Sequence, residues 1–275
     1  MRWSGRFGGP SLDTASYSNV IVSMTTWGAR TRSVHIALES ILRGREKPAR
    51  LFLWLDPTEG ARRSLPEELL KLEDRGLELC FFDEDWGPAN KLVHTLRSHP
   101  TASIVTADDD VVYPRSWLRR LVVVQSGRSP DCVTGHECIW LSLEPDEGCG
   151  HRISPYGEMR RAGSRGGDLP SASLFAVGSS GVLYPPGSLH ESVFDRDSYM
   201  SLSANNDDVW FKAMSLKAGV MTRRVGFENC WPHKTIDGSQ SDALWLKNVD
   251  SGCTDSALQS VFSHYSLFAM IDDAR

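Results

Sequence analysis

The first half of the chain alternates short, strongly apolar runs with segments of helical period, and that alternation leaves few folds open. NVIVSM at 19–24, LFLWL at 51–55, LELCFF at 77–82 and SIVTA at 103–107 have the length and the bulky or β-branched content of buried strands. Between the first two, Val34, Ala37, Leu38, Ile41 and Leu42 recur at helical spacing, with Gly44 and Pro48 beyond them as stop signals. Pro66 opens a helix through Leu69, Leu70 and Leu72, with Gly76 past its end. A short helix around Lys91 to Leu96 follows the turn at Trp86, Gly87 and Pro88. Strands and helices in alternation make right-handed βαβ units, so the expected fold is α/β, a mainly parallel central sheet flanked by helices. Ligands of such sheets bind at the carboxyl ends of the strands.

The second half is less regular. Residues 141–172 are rich in Gly, Ser, Pro and charge without a clear period, and are expected to form a long loop. Order returns with SLFAV at 173–177, VLY at 182–184, a helix near Asp207 to Leu216, a strand VMTRRVGF at 220–227 and a helix from about Ser256. A single domain over 1–275 is expected, with a nucleotide-binding half at 19–125, an acceptor or catalytic half at 126–240 and a helical extension at 241–275.

A formal charge of −5 offers no basic field to a polyanion, so nucleic acid is not an expected partner. No apolar run approaches the roughly 18 residues that cross a bilayer, and MRWSGRFGG has charges with no apolar core behind them. The expected location is cytoplasmic, with peripheral membrane association left open. The six cysteines are spaced too irregularly for a small disulfide framework, so reduced thiols are expected. Cys132, His136, Cys138, Cys149 and His151 lie close in sequence, but neither cysteine pair has the C-x2-4-C spacing of a structural zinc site.

The chemistry-bearing feature is the end of the fourth strand, which runs directly into Asp108, Asp109 and Asp110. Adjacent carboxylates raise one another's free energy when ionised, and a divalent cation removes that penalty. Carboxylates are hard oxygen ligands suited to Mg²⁺ or Mn²⁺, which keep coordination positions for substrate phosphates. Asp207 and Asp208 open a helix, where they are either N-terminal caps or carboxylates held for chemistry. Ser179, Ser180 and Gly181 form a small-residue turn that is either a plain hairpin or a place where backbone amides approach a sugar.

Taken in order, TTWGAR, GPANKL, TADDDVVYP and NNDDVWF resemble bacterial family-2-like glycosyltransferases of GT-A fold, over about residues 19 to 235. The resemblance implies a single GT-A-type domain in which Thr25, Thr26, Arg30, Lys91, Asp108 and Asp109 bind the nucleotide-sugar donor. It implies that Asp110 holds the metal, with His233 as a further ligand, and an imidazole ligand favours Mn²⁺ over Mg²⁺. It places the catalytic base at Asp208, with Asp207 second. Ser180 and Gly181 are further donor-site candidates, and Tyr156 and Trp231 are candidate aromatic contacts for the acceptor.

The expected activity is metal-dependent transfer of a sugar from a nucleotide diphosphate donor, by resemblance a UDP-sugar, to the hydroxyl of a saccharide or glycoconjugate acceptor. Inversion at the anomeric carbon and a place in bacterial polysaccharide assembly come from the same resemblance. Two rivals remain at this point. A nucleotidyltransferase acting on sugar phosphates would need a Gly-rich basic loop after strand one, of which GARTR is a poor version. A sugar-nucleotide-binding protein without catalysis would need no base.

Overall fold

The computed structural model describes residues 12, 16–58, 64–126, 132–146, 150–159, 169–225, 234–239 and 252–271. The alternating first half folds as its pattern predicts: β1 (Tyr17–Thr25), α1 (Val34–Leu42), β2 (Pro48–Leu55), α2 (Glu67–Leu70), β3 (Leu77–Phe81), α3 (Asn90–Ser98) and β4 (Ser103–Ala107). All five apolar positions that predicted α1 are buried on it.

Five elements follow that the periodicity did not announce: α4 (Trp117–Ser126), β5 (Val133–Gly135), β6 (Cys138–Trp140), and a hairpin of β7 (Leu143–Asp146) with β8 (Gly150–Ile153). That hairpin corrects the expectation of an unbroken loop over 141–172. It pairs Leu143 with Ile153 and Glu144 with Arg152, but its other positions are Pro145, Asp146, Gly150 and His151, so the apolar alternation that marks a half-buried strand is missing. Then come β9 (Leu174–Ala176), β10 (Val182–Tyr184), α5 (Arg196–Leu202), α6 (Asp207–Lys217), β11 (Thr222–Arg224) and α7 (Cys253–Tyr265). Of the strand expected at 220–227, the described residues form β11 over Thr222–Arg224, with 226–227 outside the described residues, and the last helix starts three residues earlier than Ser256.

Seven strands form one sheet in the order β11-β5-β10-β4-β1-β2-β3. Every neighbouring pair is parallel except those made by β10, which runs antiparallel to both β4 and β5. Alternate side chains supply opposite faces. Val22, Met24, Val105 and Leu183 join α1 and α4 in one core, whereas Ile104, Val182 and Tyr184 join α3, α6 and α7 in the other. Helix α6 is buried almost all round, the sign of a helix inside the fold rather than on its surface.

From β1 the chain builds outward through β2 to β3, then crosses back to lay β4 on the other side of β1. The order therefore reverses between β1 and β4, and a crevice opens at their carboxyl ends. Among the described residues, no helix is long and apolar enough to cross a membrane.

Candidate active site

The residues directly after β1 and β4 meet in that crevice. Thr26 donates its hydroxyl to Asp109 Oδ2 at 2.6 Å, and Arg30, on a 3-10 turn at Gly28–Arg32, reaches Asp109 Oδ1 at 2.9 Å. The other arm of the Arg30 guanidinium lies 3.1 Å from Asp110 Oδ2 and donates to the Ser239 carbonyl. Burial pushes the Asp109 carboxyl up to about 6 against the pull of Arg30 and Thr26. Burial alone would depress Arg30, but Asp109 and Asp110 carry it above its ordinary value.

Asp108 faces a different cation. Lys91, on the first turn of α3, lies 2.7 Å from Asp108 Oδ1 and 3.0 Å from Asp207 Oδ2, with its side chain only 7% exposed. The contact to Asp207 is a charge pair rather than a well-directed hydrogen bond, for Asp207 Oδ2 has no hydrogen-bond partner by angle. Desolvation opposes the ammonium, yet Asp108, Asp207 and Asp208 together hold its pKa well above the usual lysine range.

Asp208 is held from a third direction. The 3-10 turn Gly178–Ser180 between β9 and β10 aims the Gly178 amide at Asp208 Oδ2, 2.8 Å away. A Cβ at 178 would overlap that carboxylate, so any larger residue there would have to displace Asp208. Burial, then the charge of Asp207, raises the Asp208 carboxyl to about 7. The turn is pinned to the acidic one: Tyr113 accepts from the Asp108 amide at 2.8 Å and donates to the Ser179 carbonyl at 3.2 Å. Trp117 Nε1 donates to the Ser180 carbonyl at 2.8 Å, and its ring lies 2.5 Å from where a Cβ at Gly181 would stand.

Several expectations change. Thr25 turns its hydroxyl to the Trp54 carbonyl at 3.0 Å, away from Asp109, because alternation along β1 sends it and Thr26 to opposite sides. Lys91, expected as a donor contact, is engaged by two carboxylates and nearly enclosed. Asp208 is no helix cap: the cap of α6 is Asn206, whose side chain makes no cap bond and accepts instead from Thr254. The Ser180 hydroxyl lies 3.3 Å from Glu137. Tyr156 sits elsewhere, edge-on against Phe175, with its amide held by Asp255. His233 and Trp231 lie outside the described residues. The next residues in sequence do reach the site, since Val112 donates to the Lys234 carbonyl and Ile236 to that of Asp110.

Gly178, Tyr113 and Trp117 were not anticipated. The signals in the sequence are faint: a glycine directly after SLFAV, and two aromatics shortly after the acidic triplet. Cys132 and Cys138 are buried, and His136 bonds the Trp117 carbonyl, while Cys149 is outside the described residues.

These pairs gather five carboxylates, Asp108, Asp109, Asp110, Asp207 and Asp208, about Arg30 and Lys91. Negative charge exceeds positive even with Asp208 protonated, and a divalent cation would neutralise that excess. Among the described residues no group of three or more His, Cys, Asp or Glu side chains converges on one metal position. A cation held by Asp110 would therefore be completed by ligand oxygens, the usual arrangement for Mg²⁺ at phosphate sites.

The fold is similar to parts of several solved structures. TarS (1–349) of S. aureus superposes with a TM-score of 0.49 at 11% identity, over 78% of this chain and 59% of that one. An inositol-1-phosphate CTP transferase from T. maritima gives 0.46 at 13% identity, over 88% and 98%. A mannosyltransferase from Pyrobaculum calidifontis, solved with GDP-Man and Mn²⁺, gives 0.33 at 20% identity, over 46% and 37%. This chain thus spans little more than half of the TarS fragment. Superpositions this distant carry no argument about chemistry. No protein-family model and no curated protein matches the chain.

Proposed function

We propose that the chain is a metal-dependent glycosyltransferase that moves a sugar from a nucleotide diphosphate donor to an acceptor hydroxyl. The observation that carries this reading is the pairing of two unlike acidic groups in one crevice. The turn Asp108–Asp110 is paired with fixed cations, while Asp208 is half-buried, held by one amide, and raised by desolvation to about 7. A general base works best with a pKa near the working pH, and separated pKa values in one site mark separate roles.

The reaction is a displacement at the anomeric carbon. The acceptor oxygen forms a bond to that carbon as its proton passes to the Asp208 carboxylate. The bond from the anomeric carbon to the diphosphate oxygen breaks, and its electron pair leaves with the nucleoside diphosphate. Attack from the face opposite the leaving group inverts the configuration. Asp110, with His233 as a second protein ligand, would hold Mn²⁺ or Mg²⁺, which would supply charge stabilisation to the departing diphosphate. Arg30 keeps Asp110 oriented, and Thr26 fixes Asp109 beneath it.

A UDP-sugar donor, a saccharide or glycoconjugate acceptor, a cytoplasmic site of action and a role in bacterial polysaccharide assembly belong to the same proposal and rest on the motif resemblance. The engagement of Arg30 by Asp109 and Asp110 weighs against a nucleotidyltransferase, whose basic loop must be free to wrap a triphosphate.

Asp208→Asn tests the assignment. The variant should keep nucleoside diphosphate and Mn²⁺ binding by calorimetry and lose transfer by roughly a hundred- to ten-thousandfold. Near-parental transfer would move the base to Asp207. Parent protein that gains no melting temperature from UDP, GDP or CDP with Mn²⁺ would overturn the reading altogether, because binding to the folded state must raise stability.

A further inference from the structure

We propose that Lys91 is a positioning residue: its buried ammonium ties Asp108 of the donor turn to Asp207 at the start of α6, and so fixes Asp208 against Gly178. The proposal rests on the reading of Asp208 as the base and adds to it the group that holds the base in register with the donor.

The argument begins with what Lys91 joins. Asp108 ends β4 and Asp207 begins α6, and the two oxygens within reach of Nζ, at 2.7 and 3.0 Å, come from these two elements. With its ammonium hydrogen-bonded to Asp108, ion-paired to Asp207 and its side chain nearly enclosed, Lys91 cannot swing to a phosphate without leaving buried Asp207 without its cation. The stem is packed as well, since Lys91 lies among the buried residues of α3, beside Leu92 and Val93. Location and partners both make it part of the framework.

The effect reaches Asp208 through its neighbour. Asp207 and Asp208 are the first two residues of α6, Asp207 buried and Asp208 half-buried. Two adjacent carboxylates repel, and without a cation the pair relaxes by separating or by taking up a proton. With Lys91 in place, Asp207 is drawn toward Asp108, and the Asp208 carboxylate stays at the Gly178 amide. Because Tyr113 links the Asp108 amide to the Ser179 carbonyl, the donor turn and the Gly178 turn move as one unit, and Lys91 fastens α6 to it.

Lys91→Met separates this role from a donor contact. Positioning predicts that kcat for transfer falls at least thirtyfold while KM for the donor stays within threefold of the parent. A phosphate contact predicts the reverse, a donor KM raised tenfold or more with kcat retained, and that result would overturn the proposal, as would unchanged kinetics. If Lys91→Met fails to fold, Lys91→Met/Asp207→Asn removes both halves of the pair and is measured in the same way. The crystal structure of whichever variant folds decides the matter independently of transfer. Loss of the Asp208–Gly178 hydrogen bond supports the proposal, and an unchanged bond overturns it. Parent protein that transfers no sugar would defeat the functional reading alone, and the crystallographic comparison would still decide the role of Lys91.

Discussion

The carboxylate of Asp208 fills the space in which any side chain at Gly178 would begin, and the Gly178 amide donates to it at 2.8 Å. Gly178→Ala must therefore push Asp208 away. A misplacement of about 1 Å in a reacting group costs on the order of a hundredfold in rate, and overpacking a buried site costs about 1–3 kcal/mol in stability. The expected variant folds with a lowered melting temperature, binds nucleotide, and loses transfer. Steady-state kinetics beside calorimetric nucleotide binding checks it; parental kcat would show that Asp208 can work from another position.

The raised pKa of Asp208 gives a pH dependence with a definite sign. Only the ionised carboxylate accepts a proton, so kcat/KM should rise with pH and level off above about 7. Stability runs the other way. The folded chain keeps a proton that the unfolded chain has released, so the contribution of this group is greatest below about pH 4 and is lost as pH rises to about 7. Asp208→Asn should flatten that part of the parent's melting-temperature profile, and a variant profile parallel to the parent's would show that Asp208 titrates normally.

Asp110 should affect ligand-free and ligand-bound protein in opposite directions. Replacing it with Asn removes one negative charge from a cluster with too many, so the melting temperature without metal should hold or rise. The additional stabilisation that Mn²⁺ gives with UDP should vanish, because a bridging carboxylate is gone. Thermal shift with and without Mn²⁺ reads both effects, and a retained Mn²⁺ response would place the metal elsewhere.

Arg30 neutralises Asp109 and Asp110 together, 2.9 and 3.1 Å away. Arg30→Gln leaves Asp109 buried with only Thr26 as a partner, and removing one member of a buried ion pair costs about 3–5 kcal/mol. Urea denaturation should show that loss near neutral pH and a smaller one below about pH 5, where Asp109, already raised to about 6, takes up a proton. A loss that does not depend on pH would mean that Arg30 acts through packing alone.

Much of the fold was legible because its signals are local. Val34, Ala37, Leu38, Ile41 and Leu42 bury one face of α1 wherever that helix docks, and four apolar runs that break at turn residues can only be buried strands. The β7–β8 hairpin and α4 were illegible for the opposite reason. In α4 the β-branched run Val122–Val124, with Val123 exposed, blurs the helical stripe of Trp117, Leu118 and Leu121, and the hairpin strands carry glycine and charge on the faces that water reaches.

In the site, the sequence by itself determined which residues stand at the carboxyl ends of β1 and β4 and at the start of α6, because strand and helix boundaries are set by nearby residues. Thr26, Arg30, the three aspartates after β4, and the Asp207–Asp208 pair were all legible on that basis. Only the tertiary structure decided what each one faces. Alternation along β1 turned Thr25 toward Trp54, packing set Lys91 between two carboxylates, and the Gly178 turn supplied a partner for Asp208 from a distant part of the chain. Side-chain partners across elements depend on how the helices settle on the sheet. That is a property of the assembled core, which no short window of sequence contains.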